Sequence, residues 1–258
     1  MESNLTPQTA PVTSVDIKKL PSKGLTYPEG ATVSFRTYGY GEVKKISSSN
    51  LSEKEAFALV LAGINTNFNK FDITFGDFMY LAIFRKIATL GTSKVQVPYK
   101  SPINGDVMLH TMSVEDLEVD DLDCPDLPLN LTMSDGNVLE FMPLTVGDII
   151  SLMDKNKMTD SAYLMAAQCK NLSLDKAYHY IGSVSNNDDL VNLGEVERIL
   201  AHNLKPLKVQ CTEKDKNGSE VTNTVTIRLE GRQALLLPFR EQGVPSRSGI
   251  SFGKRDKP

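Results

Sequence analysis

Val33 to Ile46 reads VSFRTYGYGEVKKI, and Val138 to Leu152 reads VLEFMPLTVGDIISL. Each stretch opens as a strand: Val33 and Phe35 alternate with polar residues, and Val138 to Phe141 follows a turn. Each continues through a turn and an amphipathic stretch, and a helix follows: Ser52 to Ile64 after the first, Asp160 to Lys170 after the second. Both halves then reach a hairpin, Lys94 to Met112 in one and Leu207 to Leu229 in the other. The shared order implies an internal duplication. Because the halves share few identical residues, convergence on a common α+β layout is the competing explanation.

Working outward, the helices carry their own start and stop signals. Ser52 stands three residues before Glu55, the capping-box spacing, and Thr145 stands likewise before Asp148. A further helix starts at Thr74 or Asp77 and ends at Leu90, with Phe78, Leu81, Ile87 and Leu90 on one face and Gly91 as its stop. Two more run from Leu174 to Ile181, capped by Ser173, and from about Asp189 to His202. Between Leu129–Thr132 and Val138–Phe141 lies Ser134-Asp135-Gly136-Asn137, where Asp-Gly accepts a positive φ and signals a hairpin. Ser113 to Asp126 holds seven acids and no base, with Val114, Leu117, Val119 and Leu122 interspersed.

The fold class that follows is α+β: two similar helix-plus-β-hairpin halves, residues 31–126 and 127–239, with an extended N-terminal arm and a flexible C-terminal tail. The arm is residues 1–30. Met1 to Ser14 is too polar to offset its ordering entropy and is expected to be flexible. Val15 to Gly30 mixes apolar residues with Pro21, Gly24, Pro28 and Gly30, which suits an extended segment with fixed turns. Ala234 to Phe239 is a short apolar strand or docking segment. The tail, residues 240–258, has five bases against two acids.

Composition removes several function classes. A chain of 258 residues with 40% apolar residues can bury a sizeable core. A net charge of −4 argues against duplex binding, which goes with a basic surplus. The apolar run at Phe78–Ile83 is too short to cross a bilayer. No signal peptide opens the chain, so cytoplasmic synthesis is expected. Cys124, Cys169 and Cys211 form no C-x-x-C pair, so neither a zinc knuckle nor a disulfide framework is expected.

No catalytic constellation assembles. His110 falls on a strand and His202 at a helix end, while His179 has Asp175 one turn earlier but no nucleophile beside it. Gly39-Tyr40-Gly41 continues into neither a dinucleotide fingerprint nor a phosphate loop. Asp120-Asp121-Leu122-Asp123 lacks the glycine and spacing of a calcium loop, so a solvated face or a docking strip for a basic partner is the better reading. Tyr27, Phe35, Tyr38 and Tyr40 have few bases around them, so core packing or a protein interface explains them better than nucleobase stacking. No enzyme activity, no cofactor, no metal and no small-molecule substrate is expected.

The most distinctive segment is LPSKGLTYPEG, Leu20 to Gly30. It resembles the opening of the baseplate hub subunit and hub assembly proteins of T4-like contractile-tailed bacteriophages, where an LPSKG-x-x-Y-P-x-G arm precedes a strand and a helical region. Phe71 to Gly91 resembles the central segment of that family, and Met165 to Lys170 with the helices after it resembles the C-terminal helical part. Cysteine pairs found in the hairpins of some such proteins are missing here, where the second hairpin keeps only Cys211.

The resemblance implies a virion or assembly role without catalysis, either in the tail baseplate or in the host cytoplasm during assembly. The partners implied are other tail and hub proteins, the tape measure protein among them, with no membrane or nucleic acid. A dissociable chaperone for another tail protein, absent from the mature virion, is the alternative. The interface candidates are Leu20, Pro21, Ser22, Lys23, Gly24, Leu25, Tyr27, Pro28 and Gly30 in the arm, Asp120, Asp121 and Asp123 in the acidic strip, and Phe252 in the tail. An arm stiffened by two prolines is expected to dock on a neighbouring subunit at a reduced entropy cost, and its deletion to leave a folded domain.

Overall fold

A computed structural model describes residues 11–46, 51–91, 94–124, 126–214 and 218–228. The chain is α+β, with helices and small antiparallel sheets arranged as two similar halves. In the first half, β1 (Val12–Val15), β2 (Val33–Arg36) and β3 (Ile64–Thr66) form a three-stranded sheet in that order. Three helices join it: α1 (Tyr40–Ile46), α2 (Glu53–Leu61) and α3 (Phe75–Leu90). The hairpin β4 (Lys94–Lys100) and β5 (Val107–Ser113) completes the half. The second half follows a similar order, with one strand fewer and one helix more: the hairpin β6 (Leu129–Thr132) and β7 (Val138–Phe141), then α4 (Val146–Asp154), α5 (Ser161–Gln168), α6 (Leu174–Gly182) and α7 (Asn187–Leu200). It ends in the hairpin β8 (Leu207–Lys214) and β9 (Glu220–Ile227).

Register shows how closely the halves correspond. Phe35 on β2 stands between Thr13 of β1 and Ile64 of β3. Phe141 on β7 stands in the same way between Leu129 of β6 and Cys169, which follows α5 and makes an isolated bridge. At the start of α1, the Gly39 N–H donates to Glu42 at 2.8 Å. At the start of α4, the Thr145 N–H donates to Asp148 at 2.9 Å. Both carboxylates satisfy a helix-end donor three residues back.

Three elements were not evident from the pattern. Val12–Val15, within and beside the stretch read as flexible, is the edge strand β1. The helix read as Ser52–Ile64 stops at Leu61, and Ile64 opens β3. Tyr40–Ile46, read as the end of a turn and an amphipathic stretch, is the helix α1. Ala234–Phe239 and the tail 240–258 lie outside the described residues.

One core joins the halves. Leu20, Phe35, Phe57, Ile64, Phe78, Leu81 and Ile83 form its centre, and Val146, Ile149, Leu204, Val209 and Ile227 from the second half are part of it. The last hairpin therefore belongs to the first core, beside β4–β5: Ser101 Oγ donates to Glu213 at 2.6 Å. A smaller core holds Leu122, Leu139, Phe141, Met165, Ala177, Leu193 and Leu200. Backbone bonds tie the halves where α3 and α4 begin: Phe75 N–H to Leu144 O and Val146 N–H to Ile73 O, both at 2.8 Å. The acidic segment runs along the same junction, with Asp120 N–H donating to Asn203 O and Lys205 N–H to Glu118 O, each at 2.8 Å.

Arg85 holds the first half from inside. It lies fully buried in α3. Its guanidinium donates to the carbonyls of Arg36 (2.7 Å), Leu59 (2.9 Å) and Val60 (3.0 Å) and to Glu42 at 3.2 Å. Two of those carbonyls are at the C-terminal end of α2, where helical partners run out. The guanidinium sits 3.7 Å over the Tyr38 ring, and a Cβ on Gly63 would fall 2.0 Å from it. A buried cation is tolerated only when its donors and its charge are matched.

Glu42 supplies the countercharge. Burial works against its charged form, but hydrogen bonds from Arg36 and the Gly39 N–H, together with Arg85, outweigh it and bring the pKa from 4.5 down to about 2. A carboxyl with a lowered folded pKa stabilises the fold above its unfolded pKa and stops doing so as pH falls through the folded value. In Glu42→Gln, urea unfolding should show a loss of about 3 kcal/mol near neutral pH, because Arg85 stays buried without its partner. The variant's stability should also fall less steeply than the wild type's between pH 4.5 and about 2. Parallel pH profiles would contradict this role for Glu42.

Candidate functional site

The LPSKG segment folds into a loop clasped to its own domain. Leu20, Pro21 and Ser22 are buried. Lys23 and Gly24 take positive φ values of 52° and 76°, and a Cβ on Gly24 would lie 2.2 Å from Ile17 Cγ2. Only glycine meets both demands at position 24. The turn aims Ser22 at Asp77, in the first turn of α3. The Ser22 N–H donates to Asp77 Oδ1 at 2.8 Å and its hydroxyl to Oδ2 at 2.5 Å. The Tyr27 hydroxyl donates to the same Oδ2 at 2.5 Å and accepts the Thr74 N–H at 3.2 Å. Tyr27 also stacks on Phe68, with ring centroids 4.8 Å apart.

Burial pushes the Asp77 pKa above its ordinary value, against the pull of the Ser22 and Tyr27 hydrogen bonds and the His202 charge. Burial and the neighbouring Asp77 likewise push the Tyr27 hydroxyl up, so it remains a donor. The network continues to the second half through Thr74, whose Oγ1 lies 2.8 Å from His202 Nε2. The other ring nitrogen of His202 faces the Leu200 carbonyl at 2.8 Å. Gly76 lies so close to this turn that a Cβ would come within 1.8 Å of the His202 carbonyl.

Placement decides what each sequence candidate offers. Leu20, Pro21, Ser22 and Tyr27 serve the loop's own anchoring, and the described part of the arm, residues 11–30, packs on its own domain. Deletion of the arm would therefore remove β1 and the clasp, which is a change to the fold. The outer side of the loop remains open: Lys23, Pro28 and Gly30 are exposed, and Leu25 is 43% exposed. The acidic strip lies against this loop. Leu122 N–H donates to Pro21 O at 2.8 Å, and Lys23 pairs with Asp121 at 3.0 Å. Leu122 points into the core, while Asp120, Asp121 and Asp123 are exposed, and Asp120 has Lys205 at 3.7 Å. Two candidate segments far apart in sequence thus form one surface. Phe252 lies outside the described residues.

The histidine and cysteine candidates do not converge. Asp175 pairs with Lys155 at 3.0 Å rather than orienting His179, which is exposed. Cys124, Cys169 and Cys211 are each buried as free thiols. Among the described residues no group of three or more His, Cys, Asp or Glu could hold a metal ion, and no helix is long and apolar enough to cross a membrane. No family model, curated protein or solved structure matches this chain. Sequence reading missed the role of Asp77. Its only signal was an acid three residues beyond Thr74, which an ordinary N-terminal cap explains as well.

A second clasp sets the scale for the first. The Ser134 N–H and hydroxyl donate to Asp189 at 3.0 and 2.6 Å, with the same 55-residue spacing as Ser22 and Asp77. Ser134 is exposed, and its clasp has no third donor of the Tyr27 kind. Asp77→Ala should cost on the order of 3 kcal/mol, because it strands three donors in a buried place. Asp189→Ala should cost about 1 kcal/mol, because water can reach Ser134. Chemical denaturation of both variants reads the difference, and equal losses would refute it.

Proposed function

We propose that this chain is a structural or assembly component of a contractile phage tail baseplate hub, acting through protein–protein contacts and not through catalysis. The single observation that carries this reading is the state of the hub-like segment. The letters Leu20, Ser22, Gly24 and Tyr27 lock the loop in place, and Lys23, Leu25 and Pro28 are held outward on it beside the acids of the strip. A loop fixed before it meets a partner loses less entropy on binding, so a small exposed apolar point can matter. The charged rim around Leu25 would favour register and encounter rate over raw affinity.

Partners on this reading are other hub proteins and the tape measure protein. The chain's presence in purified particles marks a building block, whereas its absence marks an assembly chaperone; mass spectrometry of virions separates the two.

Leu25→Asp tests the surface without touching the clasp, since Leu25 is partly exposed and Asp77 keeps its donors. The variant should melt within a few degrees of the wild type and capture hub components at least about ten-fold less well in a pull-down, a difference of roughly 1.4 kcal/mol. Undiminished capture by a folded Leu25→Asp chain would sink the proposed role of this loop.

A further inference from the structure

The internal repeat shows what is missing at its own ends. Around α1 and α4 the two halves align without a gap: Phe35 with Phe141, Gly39 with Thr145, Tyr40 with Val146, Gly41 with Gly147, Glu42 with Asp148 and Val43 with Ile149. Around α3 and α7 the shared N-cap and clasp align Thr74 with Asn186 and Asp77 with Asp189. Phe78 then corresponds to Leu190, and Met79 to Val191.

Within the chain, the start of α4 docks on the start of α3. Thr145 bridges Thr74, flanked by the two backbone bonds that join Ile73–Phe75 to Leu144–Val146. Val146 is 0% exposed there and shares one core with Phe78 and Met79. Gly147 permits the close approach, since a Cβ on it would lie 3.4 Å from the Phe71 carbonyl.

Each partner in that contact has a counterpart elsewhere that is uncovered. Tyr40, the equivalent of Val146, is 76% exposed. Leu190 and Val191, the equivalents of Phe78 and Met79, are 49% and 62% exposed. Ser185, Asn186 and Asn187, which match the bridging segment of the first half, are exposed as well. Gly41 repeats the glycine of the close approach but has nothing within 4 Å of its Cβ position. Among the described residues no bridge joins Gly39 to Asn186, so these counterparts do not meet within one chain.

We propose that they meet between chains: the α1 start of one copy, with Tyr40, docks on the α7 start of a second copy, with Leu190 and Val191. The internal junction supplies the template. Tyr40 would take the place of Val146, and the backbone around Gly39 would bridge Asn186 as Thr145 bridges Thr74. The two surfaces differ, so the contact is head-to-tail and generates a ring or an open row rather than a two-fold dimer. As in stacked repeats, each unit buries on its neighbour the face it cannot bury alone. Self-association through this contact stands whether or not the chain serves a tail hub.

Sedimentation velocity of the full chain over a wide concentration range tests it, with Tyr40→Glu and Val191→Asp as the variants. Both sites are exposed, so circular dichroism and melting should match the wild type; Leu190→Ser stands in if Val191→Asp melts early. The wild type should associate with rising concentration, and each variant should do so at least about ten-fold more weakly. An equimolar mixture of the two variants should form a one-to-one pair and nothing larger, because each retains the face that the other has lost. A wild type that stays monomeric throughout, variants that associate as the wild type does, or a mixture that yields no pair would each overturn the proposal.

Discussion

A carboxylate deep in a protein is stable only if donors replace the water it has lost. Asp77 has three, two from Ser22 and one from Tyr27, and it sits in the first turn of α3, where the helix end favours negative charge. The consequences spread outward. Binding Ser22 fixes the turn at Lys23 and Gly24. The fixed turn places Pro21, whose carbonyl holds Leu122 of the acidic strip. Tyr27 leads to Thr74, and Thr74 leads to both the α4 start and His202. One buried carboxyl group therefore ties together the N-terminal loop, the central helix and the second half.

The two halves use the same parts but bury them to different depths. Both have a serine turn clasping an acid in the first turn of a helix, a phenylalanine paired through its backbone on both sides, and an acid capping the helix after that strand. Among the described residues, only the first half buries an arginine. Arg85 corresponds to Glu197, which is exposed on α7. The reason lies in packing: α3 is enclosed by both halves and needs an interior device for loose carbonyls, while α7 meets water along one side. A helix buried nearly all round and one with a solvent face follow from where each helix sits in the fold.

Local chemistry was legible in the sequence, and long-range placement was not. The capping boxes at Ser52–Glu55 and Thr145–Asp148, the Asp135-Gly136 hairpin and the stop at Gly91 each depend on a few adjacent residues, and each stands in the structure. The strands β1 and β3 are four and three residues long, too short to show a period against their polar neighbours. The attachment of the last hairpin to the first core depends on Val209 and Ile227 meeting residues far away in sequence, which no spacing encodes. The same holds for the candidate surface. The loop and the acidic strip were separate candidates, and only folding puts Lys23 beside Asp121.

The clasp also changes what the LPSKG resemblance can mean. Leu20 fills the core, Ser22 and Tyr27 bind Asp77, and Gly24 takes a conformation and a gap closed to other residues. The letters that make the segment recognisable are thus the letters its own fold requires. A resemblance carried by such positions speaks first to how a loop is built. On the proposed reading, partner choice resides in the outward positions, chiefly Leu25 and Pro28, with Lys23 and the acids alongside them as a charged rim. Two proteins that share this loop need not share a partner, because anchoring and the proposed recognition surface occupy opposite sides of the same turn.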